Sequence, residues 1–156
     1  MNLPSYRKAD VLKGLLIYSA GDTVAALLTC GFSLPRLLGI MAVGAVVYSW
    51  EIPAWFEYIS KRYSGMARAG MAVLYFNPLW IARHLAFICL FSGQTGDIGP
   101  DLLIIALKGF AVNLPVVFIA NYLIQNRVPL KWRFLSSAVF SSLMAIYYPL
   151  CRVIFK

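Results

Sequence analysis

The chain predicts an all-α fold: a polytopic transmembrane helical bundle of about five kinked spans, forming a single domain over residues 1–156. Three observations predict it. Of the 156 residues, 61% are hydrophobic and 13% charged, whereas soluble domains carry roughly 25% charged residues. The apolar residues collect in stretches close to the roughly 20 residues that a helix needs to cross hydrocarbon. Short polar segments separate these stretches and hold most of the basic side chains, as membrane topology arranges them.

The first span is predicted over 11–30, behind Lys8 and Asp10 and ending at Gly31. The turn "SLPRL" leads into a second span over 37–56. "KRYSGMARAG" breaks the apolar pattern, and a third span covers 71–91. "SGQTGDIGPD" holds three glycines, a proline and two aspartates, the composition of a loop. A fourth span runs over 102–123, and "QNRVPLKWR" separates it from a fifth over 134–155.

With five spans, one face of the membrane receives Arg7, Lys8, Lys13, Lys61, Arg62, Arg68, Arg127, Lys131 and Arg133; the other receives Arg36, Arg152 and Lys156. Nine against three places the N-terminus on the positive side. The net charge of +8 therefore reflects topology, and nucleic acid is not expected as a partner. Cys30, Cys89 and Cys151 are scattered, without a CxxC pair, which predicts neither a disulfide framework nor a thiolate metal site. The N-terminal "MNLPSYRKAD" has neither the apolar core of a signal peptide nor the length of a transit peptide, so any targeting signal is expected to be internal.

Pro53, Pro78, Pro115 and Pro149 fall inside or near the ends of spans two to five. Membrane helices tolerate such breaks where neighbours satisfy the freed backbone groups; kinks are expected at Pro78 and Pro115 in particular. Gly21 with Ala25, Ala138 with Ser142, and Ser137 with Ser141 are four apart and offer small-residue faces for close packing.

Polar residues within the spans form the candidate site: Asp22, Glu51, Arg83, His84, Asn113 and Asn121. An unpaired charge at a helix centre costs about 2.5–3.5 kcal/mol even on the insertion scale. Asp22 is thus either functional, lining a pore or relaying a proton, or a structural tie to a neighbouring helix. Glu51 shares a helix face with Gly44, Tyr48 and Trp55. Arg83 is the cation nearest mid-depth, so spans one to three should meet around it, with Asp22 or Glu51 as its carboxylate. His84 is the single histidine, which makes a poor metal site. Asn113 and Asn121 flank Pro115 and could bond between helices or to the loosened backbone; Lys108 can reach the interface along its stem. Lys131, Trp132 and Arg133 are expected to anchor the chain at the headgroup level. No catalytic residue, cofactor or metal ligand is expected, because no nucleophile set, paired-carboxylate motif, phosphate loop or zincin helix is present in the sequence. The glycine loop carries only Asp97 and Asp101 as charges, which repel phosphate.

From about Gly14 to Tyr148 the order of glycine, proline and aromatic positions resembles the family of the mitochondrial inner-membrane protein Mpv-seventeen and the peroxisomal membrane protein of 22 kilodaltons. That family opens with a helical Gly-Asp pair, matched by Gly21 and Asp22. In its second helix an arginine is followed eight residues later by a glycine, and eleven after that by a tryptophan and an aromatic; Arg36, Gly44, Trp55 and Phe56 match. Pro78 matches the proline early in the third helix. The C-terminal signature is answered by Pro115, Asn121, Tyr122, Val128, Pro129 and Arg133, with Tyr147 following. The departures fall mainly at polar positions: Ala26 and Phe118 stand where the family has glutamines, and Ala72 and Val73 replace an Asp-Gln pair. Ser49 and Trp50 replace a Gly-Pro pair, and three extra residues separate Asn121 from Val128.

The resemblance implies a pore or carrier for small solutes. The loss of polar lining, with minimal loops, points instead to a non-enzymatic accessory or structural subunit of a larger membrane complex. The lipid bilayer and other membrane-protein subunits are then the expected partners. The resemblance makes the mitochondrial inner membrane the expected location, with the peroxisomal membrane as the alternative.

Overall fold

The computed structural model describes residues 7–154, with side chains through Tyr147 except at position 145. Every regular element among the described residues is helical. Helix α1 spans Lys8–Leu28; α2 (Leu34–Val43) continues through a π-helical turn, Gly44–Tyr48, into α3 (Ser49–Arg62). Next come α4 (Gly65–Tyr75), α5 (Pro78–Phe91), a short 3₁₀ turn at Thr95–Asp97, α6 (Pro100–Arg127) and α7 (Leu130–Ile154).

Among the described residues, four stretches are long and apolar enough to cross a membrane: Lys8–Leu28, Leu34–Arg62, Gly65–Phe91 and Pro100–Arg127. This is a helical membrane protein. The fifth predicted span corresponds to α7, whose last turns, with Pro149, Cys151 and Arg152, lie outside the described side chains; Phe155 and Lys156 lie outside the described residues. The observed helices start two to six residues before the apolar runs, because charged and polar residues at the ends are helical too; "GMARAG" belongs to α4. Helix α1, at 21 residues, is about 31 Å long at 1.5 Å per residue, enough to cross in full.

The helices close into a ring. Spans one to five pack each on the next, and α7 returns to pack along α1, with α3 also touching α7. Small residues make the closure possible. A Cβ on Gly21 would stand 2.7 Å from both the Cα and Cβ of Ser142, and the Ser142 hydroxyl donates to the Ile17 carbonyl across the same contact at 2.8 Å. At the other crossing, a Cβ on Gly14 would collide with the Gly44 carbonyl, and one on Gly44 with the Gly14 carbonyl. Only hydrogen at both positions lets α1 lie against the π-helical turn.

That turn has a local cause. Pro53 lacks an N–H and its ring crowds the carbonyl four residues back, at Ser49, so the ladder is disturbed just after the π-helical turn. The Ser49 hydroxyl donates to the Ala45 carbonyl within this stretch. Pro78 breaks its span outright: α4 ends at Tyr75, and Asn77 caps α5 by accepting from the Leu79 and Trp80 amides at 2.8 and 3.1 Å. Helix α6, by contrast, is continuous through Pro115.

Two helices end in the same motif. After α5, the Gln94 amide donates to the Cys89 carbonyl and the Gly93 amide to that of Leu90, with Gly93 at φ +72°. After α1, Gly31 and Cys30 bond back to Ala26 and Leu27, and here a cysteine occupies the left-handed position at φ +52°. This is the Schellman arrangement, which favours glycine at that position.

Large apolar side chains such as Leu12, Leu16, Val112, Val116, Ile119 and Leu143 face outward, where hydrocarbon takes the place of water. The centre is aromatic: Tyr18, Tyr48, Phe56, Phe76 and Trp80 are buried together with Ile40, Ile52, Ile81 and Leu85.

Candidate functional site

Asp22 lies six residues before the end of α1, about 9 Å of helix rise from that membrane face. Its partner is Arg36, not Arg83. Ser33 caps α2 by accepting from the Arg36 amide at 3.4 Å, which places Arg36 in the first turn, pointing back at α1. Its Nε donates to Asp22 Oδ2 at 2.8 Å and its Nη2 to Oδ1 at 2.6 Å. The two side chains are 4% and 7% exposed. Nη1 reaches the Gly31 carbonyl at 3.5 Å. The planar fork thus satisfies both carboxylate oxygens at once, the geometry that makes a buried pair tolerable.

Arg83 pairs with the other predicted carboxylate. Nη1 and Nη2 donate to Glu51 Oε1 and Oε2 at 3.1 and 3.0 Å, linking spans two and three. This pair is more open, with the arginine 35% and the glutamate 26% exposed. The guanidinium also lies 5.8 Å from the Tyr48 ring and 6.0 Å from that of Trp80, at the outer limit of cation–π range.

His84 is fully enclosed. Its Nδ1 is 3.0 Å from the Tyr48 hydroxyl, and its ring stacks on Trp80 at 5.7 Å with 12° between the planes. Tyr18 packs on Tyr48 at 4.7 Å. A cavity of about 20 Å³ remains on the axis, lined by Tyr18, His84, Asn121, Ser141 and apolar neighbours from α5, α6 and α7. That is room for about one water. The Tyr18 hydroxyl stands near Ser141 without a well-formed hydrogen bond, and Asn121 Oδ1 is unpartnered.

The two asparagines take the two expected options, one each. Asn113 donates to Met144 Sδ across to α7, whereas Asn121 donates to its own helix at the Val117 carbonyl, at 2.9 Å. One turn further on, Gln125 is wholly buried with neither side-chain polar atom bonded. Its backbone carbonyl accepts from Arg68 Nη1 at 3.1 Å, tying α6 to α4.

The expected interfacial anchor divides. Lys131 and Trp132 are exposed, the ammonium 5.9 Å from the indole ring. Arg133 is not free for lipid phosphate: it is buried, donating from Nε to the Val128 carbonyl at 2.9 Å and from Nη1 to the Ser60 hydroxyl at 2.5 Å. It fastens the start of α7 to α3. Lys108 is exposed on α6.

Residues missed in the sequence are those whose role depends on a neighbour: Arg36, Tyr18, Tyr48, Ser141 and Gln125. For Arg36 a signal existed, since "SLPR" is a capping serine followed by proline in the first turn, which moves the arginine from loop to helix. Among the described residues, no group of three histidine, cysteine, aspartate or glutamate side chains is placed to hold a metal ion. Chemically, the site consists of two ion pairs, Asp22–Arg36 buried and Glu51–Arg83 half-open, with a buried aromatic cluster that holds the Tyr48–His84 hydrogen bond. No family model, no curated protein and no solved structure matches this chain.

Proposed function

We propose that the protein is a non-enzymatic structural or accessory subunit of a larger membrane assembly. One observation carries the reading: the charges that could line a pore are spent on each other, and Tyr18, Tyr48, Trp80 and His84 pack together in the core. With scarcely any structure outside the bundle, the chain is suited to filling space and joining neighbours.

The mitochondrial inner membrane is the proposed location, through the resemblance to the Mpv-seventeen family. Support comes from what the matching residues do. Asp22 and Arg36 form the buried pair, Gly21 and Gly44 occupy the two close crossings, and Trp55 donates to the Met71 carbonyl at 3.0 Å. Arg133 fastens α7, and the Tyr147 hydroxyl donates to the Gly109 carbonyl at 3.1 Å. The shared skeleton is a packing skeleton. The polar lining of the axial cavity favours the second reading, an autonomous pore or carrier for small solutes.

The two readings separate in mild detergent. A tagged copy at native abundance should migrate far above its 17.4 kDa mass and bring down a fixed set of membrane proteins identified by mass spectrometry. Recovery as a monomer or small homo-oligomer that renders liposomes permeable to small solutes would replace the subunit reading with the pore.

A further inference from the structure

The span Gly65–Phe91 is discontinuous at its middle. Asn77, where α5 begins, lies twelve residues from one end and fourteen from the other, about 18 and 21 Å by helix rise. Broken helices at membrane depth are tolerated where they line a cavity; Asn77 already satisfies the first-turn amides of α5, so recognition falls to side chains. Such a cavity is present. A pocket of about 300 Å³, broadly open, is lined by Glu51, Tyr75, Asn77, Leu79, Trp80 and Arg83.

The lining has three properties. It is electrically neutral, since Glu51 and Arg83 hold one another through two hydrogen bonds, yet both remain partly open. Its polar groups are those of the half-open pair, because the Tyr75 hydroxyl and the Trp80 indole N–H beside it are buried beneath the surface. Its apolar wall includes Leu79, 66% exposed on the outer surface, so the pocket is reached from the hydrocarbon side. A carboxylate ligand would meet Glu51 and an ammonium would meet Arg83. A hydroxyl or carbonyl meets neither objection, because it can accept from an N–H, and a hydroxyl can also donate to the Glu51 carboxylate.

We propose that this pocket binds an uncharged lipid-soluble molecule with a hydroxyl or carbonyl head on an apolar body. The volume is at the lower end of the roughly 300–1,000 Å³ of ligand pockets, enough for the head and the adjoining part of a chain whose remainder lies in the bilayer. The site is independent of whether the chain acts as a subunit or alone.

The test uses the full-length chain in lipid nanodiscs and a long-chain alcohol carrying a diazirine next to its hydroxyl. After photolysis, adducts should concentrate on Glu51 and on residues 75–83. Labelling should saturate, and unlabelled alcohol should compete about tenfold better than the matching carboxylic acid, given the penalty for like charges in contact. Leu79→Trp fills the mouth from an exposed position and should lower labelling about tenfold with unchanged thermal unfolding. Glu51→Gln leaves the Arg83 charge unbalanced and should reverse the preference towards the acid; Leu79→Trp decides the matter if that variant does not fold. Labelling spread evenly over the lipid-facing helices, indifference to Leu79→Trp, or equal competition by the acid in the wild-type protein would overturn the proposal.

Discussion

Removing one member of the Asp22–Arg36 pair should destabilise the bundle more than removing both. In Arg36→Met the carboxylate keeps its place, 4% exposed, and loses two charge-assisted hydrogen bonds of 2.6 and 2.8 Å. Breaking a buried pair from one side costs roughly 3–5 kcal/mol, because the remaining charge is stranded away from water. Asp22→Leu strands the guanidinium instead, with only the 3.5 Å contact to the Gly31 carbonyl left, and should fall in the same range. The double variant leaves no charge behind, and well-packed apolar replacements of a buried pair are often close to neutral. It should therefore lie within about 2 kcal/mol of wild type, a coupling of at least roughly 4 kcal/mol between the two sites. Equilibrium unfolding in mixed micelles with increasing sodium dodecyl sulfate measures all four corners of the cycle. Single variants costing under about 1 kcal/mol, the range of exposed pairs, or a double variant equal to the sum of the singles, would refute the tie.

Three further outcomes are expected. Gly14→Val should destabilise the fold by at least about 1–3 kcal/mol through overpacking against the Gly44 carbonyl. Gly70→Ala, in open space on α4, should stabilise it by about 0.5–1 kcal/mol; thermal unfolding in detergent compares the two, and a neutral Gly14→Val would move the crossing elsewhere. Cys30→Gly should stabilise by up to about 1–2 kcal/mol, since glycine adopts the left-handed conformation without the Cβ penalty; the same unfolding assay would show no gain if that conformation were not held. Single cysteines at Ser64 and Thr95, on a background without the native thiols, should label from opposite faces of sealed vesicles, and labelling from one face would break the five-span topology.

Certain features were legible before any coordinates. Hydrocarbon imposes a length and an apolar composition on each span, so the spans could be read directly from the order of residues. Pro78 announced its break because proline can neither donate to nor fit the preceding turn. The Glu51–Arg83 pair was one of the two pairings expected from the need to neutralise charge at depth.

The partner of Asp22 lay beyond that reading. Arg36 had been counted among the loop charges because it follows a proline turn, and hydropathy along the chain carries no information about which way a first-turn side chain points. Arg133 misled in the same way, its charge suggesting lipid while Ser60, 73 positions away in sequence, claims it.

What the sequence by itself determined is an all-helical membrane protein, the placing of its apolar stretches and the obligation to pair each buried charge, since these follow from local composition and the low polarity of hydrocarbon. Which charges meet was decided only in the tertiary structure. The crossings at Gly14–Gly44 and Gly21–Ser142 set the rotation and depth of each helix, and those two quantities bring Asp22 to Arg36 and leave Arg83 to Glu51.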